Sequence, residues 1–319
     1  LRHKDPGQKL AGTLLFAWSP LLLLEATGNG HNDIIMMFFA LFAFYVLLRR
    51  RWLWVVPVLM ASVLIKYITA ILILPFLVYC WHAQKGRRNQ LSFLVKTAAL
   101  SGLVVVVSFL PFLEVPRGLL EEANFYSLAA IPSLAYNLLK GIHGDNMAKV
   151  MTIVISVVTY LVLYAISLRT LTRGDARPRN LILLSVWLIV AYLGIANMHF
   201  QPWFAVWPIA LGIWVNHTLM RRVLLVFTAS ALLLYAANFF WIWNYKIWQT
   251  IQVNLLFVAV VFAPPLLAGI LSRAWTGRLS LQNWLASRKL TPVKRIAVPV
   301  LAGDLLALAD SPARITDDD

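Results

Sequence analysis

One stretch holds most of the groups able to do chemistry: Glu25-Ala-Thr-Gly-Asn-Gly-His-Asn-Asp33, with two carboxylates, an imidazole and two carboxamides. Carboxylates so placed can orient or deprotonate a hydroxyl, and the imidazole can hold an anion or a sugar. Helix capping competes with that reading, because Asn32 or Asp33 at the head of an apolar segment would accept orphan backbone N–H groups. Capping explains one polar residue there. It does not explain Glu25, His31 and the pliable Gly28 and Gly30 together. Asp33 and Glu25 are therefore the candidate catalytic residues, and His31 and Asn32 candidate substrate ligands.

Three further places carry candidates. Lys66 lies in the middle of a long apolar run, where a cation snorkels to an interface, pairs with a carboxylate, or meets a phosphate. The run His199-Phe200-Gln201-Pro202-Trp203-Phe204-Ala205-Val206-Trp207-Pro208 reads as an interfacial aromatic belt entering a helix on Pro202. Within it His199, Gln201 and Trp203 are candidate ligands. Arg117 can fork onto a phosphate or pair with Glu114, Glu121 or Glu122. No metal-ligand spacing, P-loop or dinucleotide fingerprint is present, and no cofactor is expected. The single cysteine, Cys80, excludes an internal disulfide.

These residues sit in a chain that is 61% hydrophobic and 13% charged, with mean hydropathy +0.75. That composition falls outside ordinary soluble domains. Several apolar runs approach the ~20 residues that cross a bilayer as a helix. The expected fold is an all-α polytopic membrane protein, with candidate spans near 10–26, 34–48, 91–113, 148–168, 181–198, 202–220, 222–243 and 250–272. The stretch 52–81 adds a hairpin of two short helices, for about nine to ten membrane segments in all. Residues 1–272 form the membrane domain and 273–319 a cytoplasmic tail, with an interfacial helix near Leu279–Leu290.

The hairpin follows from charge. Arg49-Arg50-Arg51 precede the run, and Lys85, Arg87 and Arg88 follow it. Cationic loops stay cytoplasmic, so both clusters belong on one side, and Lys66 lies at the tip between helices 52–65 and 67–81. With that choice most of the 28 Lys and Arg residues fall on the cytoplasmic side. The net charge of +15 is then a topology signal, helped by anionic membrane lipid, and not a nucleic-acid footprint. The nonapeptide, Lys66 and the His199–Trp207 run all open to the extracytoplasmic face, with the loop 114–147 forming short surface helices beside them.

The run Phe16-Ala-Trp-Ser-Pro20-Leu-Leu-Leu-Leu-Glu25 through Asp33 resembles the GT-C glycosyltransferases that use polyprenyl-phosphate sugars, in the bacterial polyprenol-phosphate-mannose-dependent mannosyltransferase branch. Ala61–Tyr67 through Pro75, and Gln201–Trp203 through Trp207-Pro208, fit the same branch. The resemblance implies a plasma-membrane hexosyltransferase with its active site outside the cytoplasm. It implies a polyprenyl-phosphate sugar donor, a glycan or glycolipid acceptor, and inversion at the anomeric carbon as a carboxylate takes the acceptor's proton. It also implies a principal catalytic Asp in a first outer loop. Here a basic segment, Leu1–Lys9, precedes the span leading to Glu25, so the chain is expected to lack that upstream part. The rival from another class is a membrane transporter or lipid flippase, which favours repeated halves and polar sites near the midplane. No second half repeats the pattern here.

Overall fold

The computed structural model describes residues 6–111, 127–173, 177–212, 217–245 and 251–289. Among them every regular element is a helix, as the composition demands. In chain order these are α1 (Pro6–Ala17), α2 (Pro20–Leu23) running into a π turn (Leu24–Gly28), α3 (Asp33–Leu48) and α4 (Trp52–Ile65). A 3₁₀ turn (Tyr67–Leu72), α5 (Ile73–His82), α6 (Arg87–Phe109), α7 (Ile131–His143) and α8 (Asp145–Arg173) follow. Next come α9 (Pro178–Ala191) with a π turn (Tyr192–Ala196), a 3₁₀ turn (Pro202–Ala205) with α10 (Val206–Gly212), α11 (Thr218–Tyr245) and α12 (Ile251–Lys289). The chain divides into two units, Leu1–Arg273 and Ala274–Asp319.

Proline sets several of these boundaries. It forces the preceding residue out of the helical region and has no N–H to lose in a first turn. Ser19, Arg177 and Gln201 are accordingly extended, and Pro20, Pro178 and Pro202 open the next element. The expected single span 10–26 is thereby corrected: it breaks at Trp18-Ser19 into α1 and α2. The stretch Pro20–Gly28 then turns through 115° onto α3.

The hairpin at 52–81 forms. Lys66, with φ −153° and ψ 119°, interrupts the helix between α4 and the 3₁₀ turn. Trp52 at the start of α4 meets Tyr79 near the end of α5, with ring centroids 6.2 Å apart, so the arms run antiparallel. Both arms are shorter than a crossing requires.

Among the described residues five stretches are long and apolar enough to cross a membrane: Arg87–Phe109, Asp145–Thr172, Pro178–Ala196, Thr218–Phe239 and Ile251–Ala274. Counting the bent pair as one span makes six, against the nine to ten expected. Part of the difference lies in residues 202–220, where the described helix stops at Gly212 and every residue of α10 is buried. At the C-terminal end, helix runs unbroken through Lys289, with no separate element beginning near Leu279.

The outward face of α8 is bare hydrocarbon: Val154, Ile155, Val158, Leu161 and Val162 are all exposed. A surface of this kind suits lipid rather than water. The core lies elsewhere, where α3, the hairpin, α9, α10 and α11 bury Met36, Leu59, Phe76, Leu181, Phe200 and Ala231.

Polar clasps tie these layers. The Ser62 hydroxyl donates to the Met36 carbonyl at 2.7 Å, joining α4 to α3. The Tyr164 hydroxyl donates to the Ile71 carbonyl at 2.8 Å, fixing α8 to the hairpin. Fully buried Asn254 on α12 accepts from the Asn137 amide at 2.8 Å and donates to the Leu128 carbonyl. Ser127 N–H and the Ser133 hydroxyl in turn donate to the Met198 carbonyl at 3.0 and 2.9 Å. So α7 and α12 brace the segment that follows α9.

Replacing Asn254 by Leu leaves two polar partners unmet in an apolar setting. The expected cost is about 1–2 kcal/mol, read as a lower melting temperature in detergent, whereas Asn254→Gln recovers part of the loss.

Candidate active site

The nonapeptide closes on itself before reaching α3. The π turn ends with Asn29 N–H donating to the Leu24 carbonyl at 2.8 Å, and His31 N–H donating to the Glu25 carbonyl at 2.9 Å. Gly30 takes φ +67°, the left-handed conformation that ends helices and strains other residues. Asn32 occupies the N-cap position of α3, where its carbonyl accepts from Ile35 and Met36; its side chain makes no cap bond and is exposed. The capping expectation thus holds for the position and not for the side chain.

The wound loop delivers two carboxylates inward, each 1% exposed. Glu25 accepts from the Tyr235 hydroxyl of α11 at 2.6 Å and from the Asn29 amide at 3.0 Å, and His31 Nε2 stands 3.5 Å away. Asp33 pairs with the Lys66 ammonium at 2.8 Å and accepts from the Trp207 indole N–H. The two carboxylates are thus held by separate sets of donors. Charge in an apolar interior is tolerated only when paired and hydrogen-bonded in this way.

His31 stacks on Trp203 with centroids 4.1 Å apart and planes at 23°. That contact joins the nonapeptide to the 3₁₀ turn of the later run. Phe204 stacks on Trp207 at 4.2 Å, and the Lys66 ammonium lies 5.6 Å from the Phe204 ring centre and 6.0 Å from that of Trp207. At these distances the π faces add to its stabilisation.

Above the stack opens a cavity of about 260 Å³, lined by His31, Lys66, Tyr67, Ile68, Tyr192, Asn197, His199, Trp203, Phe204 and Trp207. It lies just under the ~300 Å³ lower end of ordinary ligand pockets. Its wall offers an ammonium, a carboxamide, two imidazoles, two phenols and indole faces. Such a wall suits an oxygen-rich anion or sugar.

The structure brings His31, Lys66, His199 and Trp203 to one cavity, as the sequence led us to expect. Gln201 sits beside it, its amide nitrogen 3.3 Å from His199 Nε2. Asp33 and Glu25 stand behind the wall, with their oxygens turned to Lys66, Trp207, Tyr235 and Asn29. Arg117 lies outside the described residues. The sequence reading missed Asn197, Tyr192, Tyr67 and Tyr235. It also treated Trp207 as a belt residue, whereas Trp207 is buried and bonded to Asp33. The four-residue spacing from Trp203 to Trp207 was the available signal, since it puts both indoles on one side of a helix.

Residues 5–83 match the model of the MptA_B family, described as alpha-(1->6)-mannopyranosyltransferase, N-terminal domain. Neither the curated proteins nor the solved structures yield a significant match. The family segment contains Glu25, His31, Asn32, Asp33 and Lys66, so the resemblance read from the nonapeptide is borne out there. Asn197, His199, Trp203 and Trp207, which also line the cavity, lie beyond it.

Removing one member of the Asp33–Lys66 pair strands a buried charge. Asp33→Leu or Lys66→Leu alone should destabilise by about 3 kcal/mol or more. The double variant should recover much of that loss. Melting of the four proteins in detergent tests the coupling, and additive losses would show that the pair carries none.

Proposed function

We propose that this protein, which carries a mannosyltransferase-family domain over residues 5–83, transfers a hexose, mannose, from a polyprenyl phosphate to a glycan or glycolipid outside the cytoplasm. The observation that carries the reading is the cavity joined to that domain, with a paired ammonium at its edge and sugar-sized aromatic faces on its wall.

In the reaction the acceptor oxygen attacks the anomeric carbon. The bond from that carbon to the phosphate oxygen breaks, and the lipid phosphate leaves as an anion. Lys66, held by Asp33, meets the charge growing on the leaving oxygen, a preorganised electrostatic contribution. Trp203 and His31 offer the sugar a stacked face, and His199 and Gln201 offer its hydroxyls hydrogen bonds. The acceptor's proton must go to a base that faces the cavity. His31 lines the cavity with the Glu25 carboxylate behind it, which suits an imidazole to that task. Asp33 and Glu25 then work through Lys66 and His31 as positioning residues.

Membranes containing the full-length protein, given polyprenyl-phosphate [¹⁴C]mannose and a glycolipid acceptor, should form labelled glycolipid. Lys66→Met should lower the rate ~100-fold or more in protein still folded by its melting profile. Undiminished transfer would remove Lys66 from the mechanism. Solute crossing a sealed vesicle with no labelled product would instead favour the transporter reading.

A further inference from the structure

Asn197 stands where α9 and its π turn give way to the run carrying His199 and Trp203. Its backbone N–H donates to the Tyr192 carbonyl at 2.9 Å, and its φ of −85° and ψ of 109° turn the chain out of the helix. The residue is 5% exposed. Its side-chain oxygen accepts the His199 backbone N–H at 2.9 Å. A backbone N–H can only donate, so this bond settles which end of the carboxamide is oxygen. The other end, Nδ2, is buried and has no hydrogen-bond acceptor among the described residues. A buried amide with unmet hydrogens is uncommon in native interiors and calls for an explanation.

The cavity supplies one. Asn197 lines it together with Lys66. The ammonium has three donors; Asp33 takes one at 2.8 Å, and Phe204 and Trp207 present ring faces. An ammonium and an amide with unmet hydrogens, on two residues that line one small cavity, suit a partner rich in acceptors. Non-bridging phosphate oxygens meet that demand. A sugar hydroxyl can also accept from the amide, but it offers fewer lone pairs than a phosphate oxygen and no negative charge for the ammonium.

We propose that Asn197 is a specificity-determining residue for the lipid carrier, its Nδ2 holding a phosphate oxygen alongside Lys66. The proposal deepens the transferase reading, on which it rests, by assigning the phosphate a second and uncharged contact from the far half of the chain.

The test uses the full-length protein in detergent, titrated with a short-chain prenyl monophosphate and, separately, with the matching prenol. Asn197→Ala should weaken monophosphate binding ~10-fold, the size of one lost charge-assisted hydrogen bond. Asn197→Asp puts a carboxylate against the phosphate and should weaken it further, ~100-fold. Prenol binding should stay unchanged in both, which also reports that the variants are folded. Unchanged monophosphate affinity, equal weakening toward prenol, or no monophosphate binding by the parent protein would each overturn the assignment. So would an Asn197→Asp variant that binds the mannosylated donor as well as the parent, because a carboxylate can accept from a sugar hydroxyl. Failure of mannose transfer with phosphate binding intact would sink the transferase reading and leave Asn197 in place.

Discussion

The ion pair between Lys66 and Asp33 ties together segments remote in sequence. Neither charge is tolerable among apolar side chains unless the other is present. Their pairing therefore fixes the tip of the α4–α5 hairpin against the first turn of α3. The Trp207 indole adds a third point of attachment, from α10. Three elements remote in sequence are tied to one carboxylate, and packing of Met36, Leu59 and Phe76 fills in around that knot. The same knot holds an ammonium at the edge of a cavity, so the contact that organises the fold also supplies the site's charge.

A second knot gathers at Glu25. Tyr235 reaches it from α11, Asn29 from the loop itself, and His31 stands beside it before stacking on Trp203. The two carboxylates thus do parallel work. Each lies behind the cavity wall and steadies a nitrogen-bearing side chain that faces the cavity. This division lets a small apolar-walled space present positive and hydrogen-donating groups while their counter-charges stay out of the ligand's way.

Much of the fold was legible before any coordinates. The apolar run 52–81 was too long for one upright crossing and was bounded by basic clusters at both ends, and those two facts led to the hairpin and to Lys66 at its tip. The nonapeptide was legible because polar residues are rare in so apolar a chain. The orientation of its side chains was not. Whether Asp33 faces a cavity or a lysine depends on a contact across 33 residues, which no local spacing encodes. The described residues give five or six of the nine to ten expected spans, for a related reason. Pro20 read as part of an apolar run, although it breaks the helix there, and α10 read as lipid-facing, although its described residues are all buried. Asn197 was invisible as a site residue because its placement depends on the π turn before it, and that turn has no composition of its own.

The two π turns, Leu24–Gly28 and Tyr192–Ala196, each stand shortly before residues that line the cavity. Such a turn is an α-helical turn carrying one extra residue, and segments of this kind recur at functional positions. The wider turn takes up the surplus residue and sets the point at which the chain leaves the helix. Loss of a single residue within either turn would therefore leave hydropathy, helix count and composition almost untouched while shifting where the chain leaves the helix toward the cavity. For sequences that differ by one residue at these places, alignment by hydrophobic pattern alone would pair side chains that no longer share a direction.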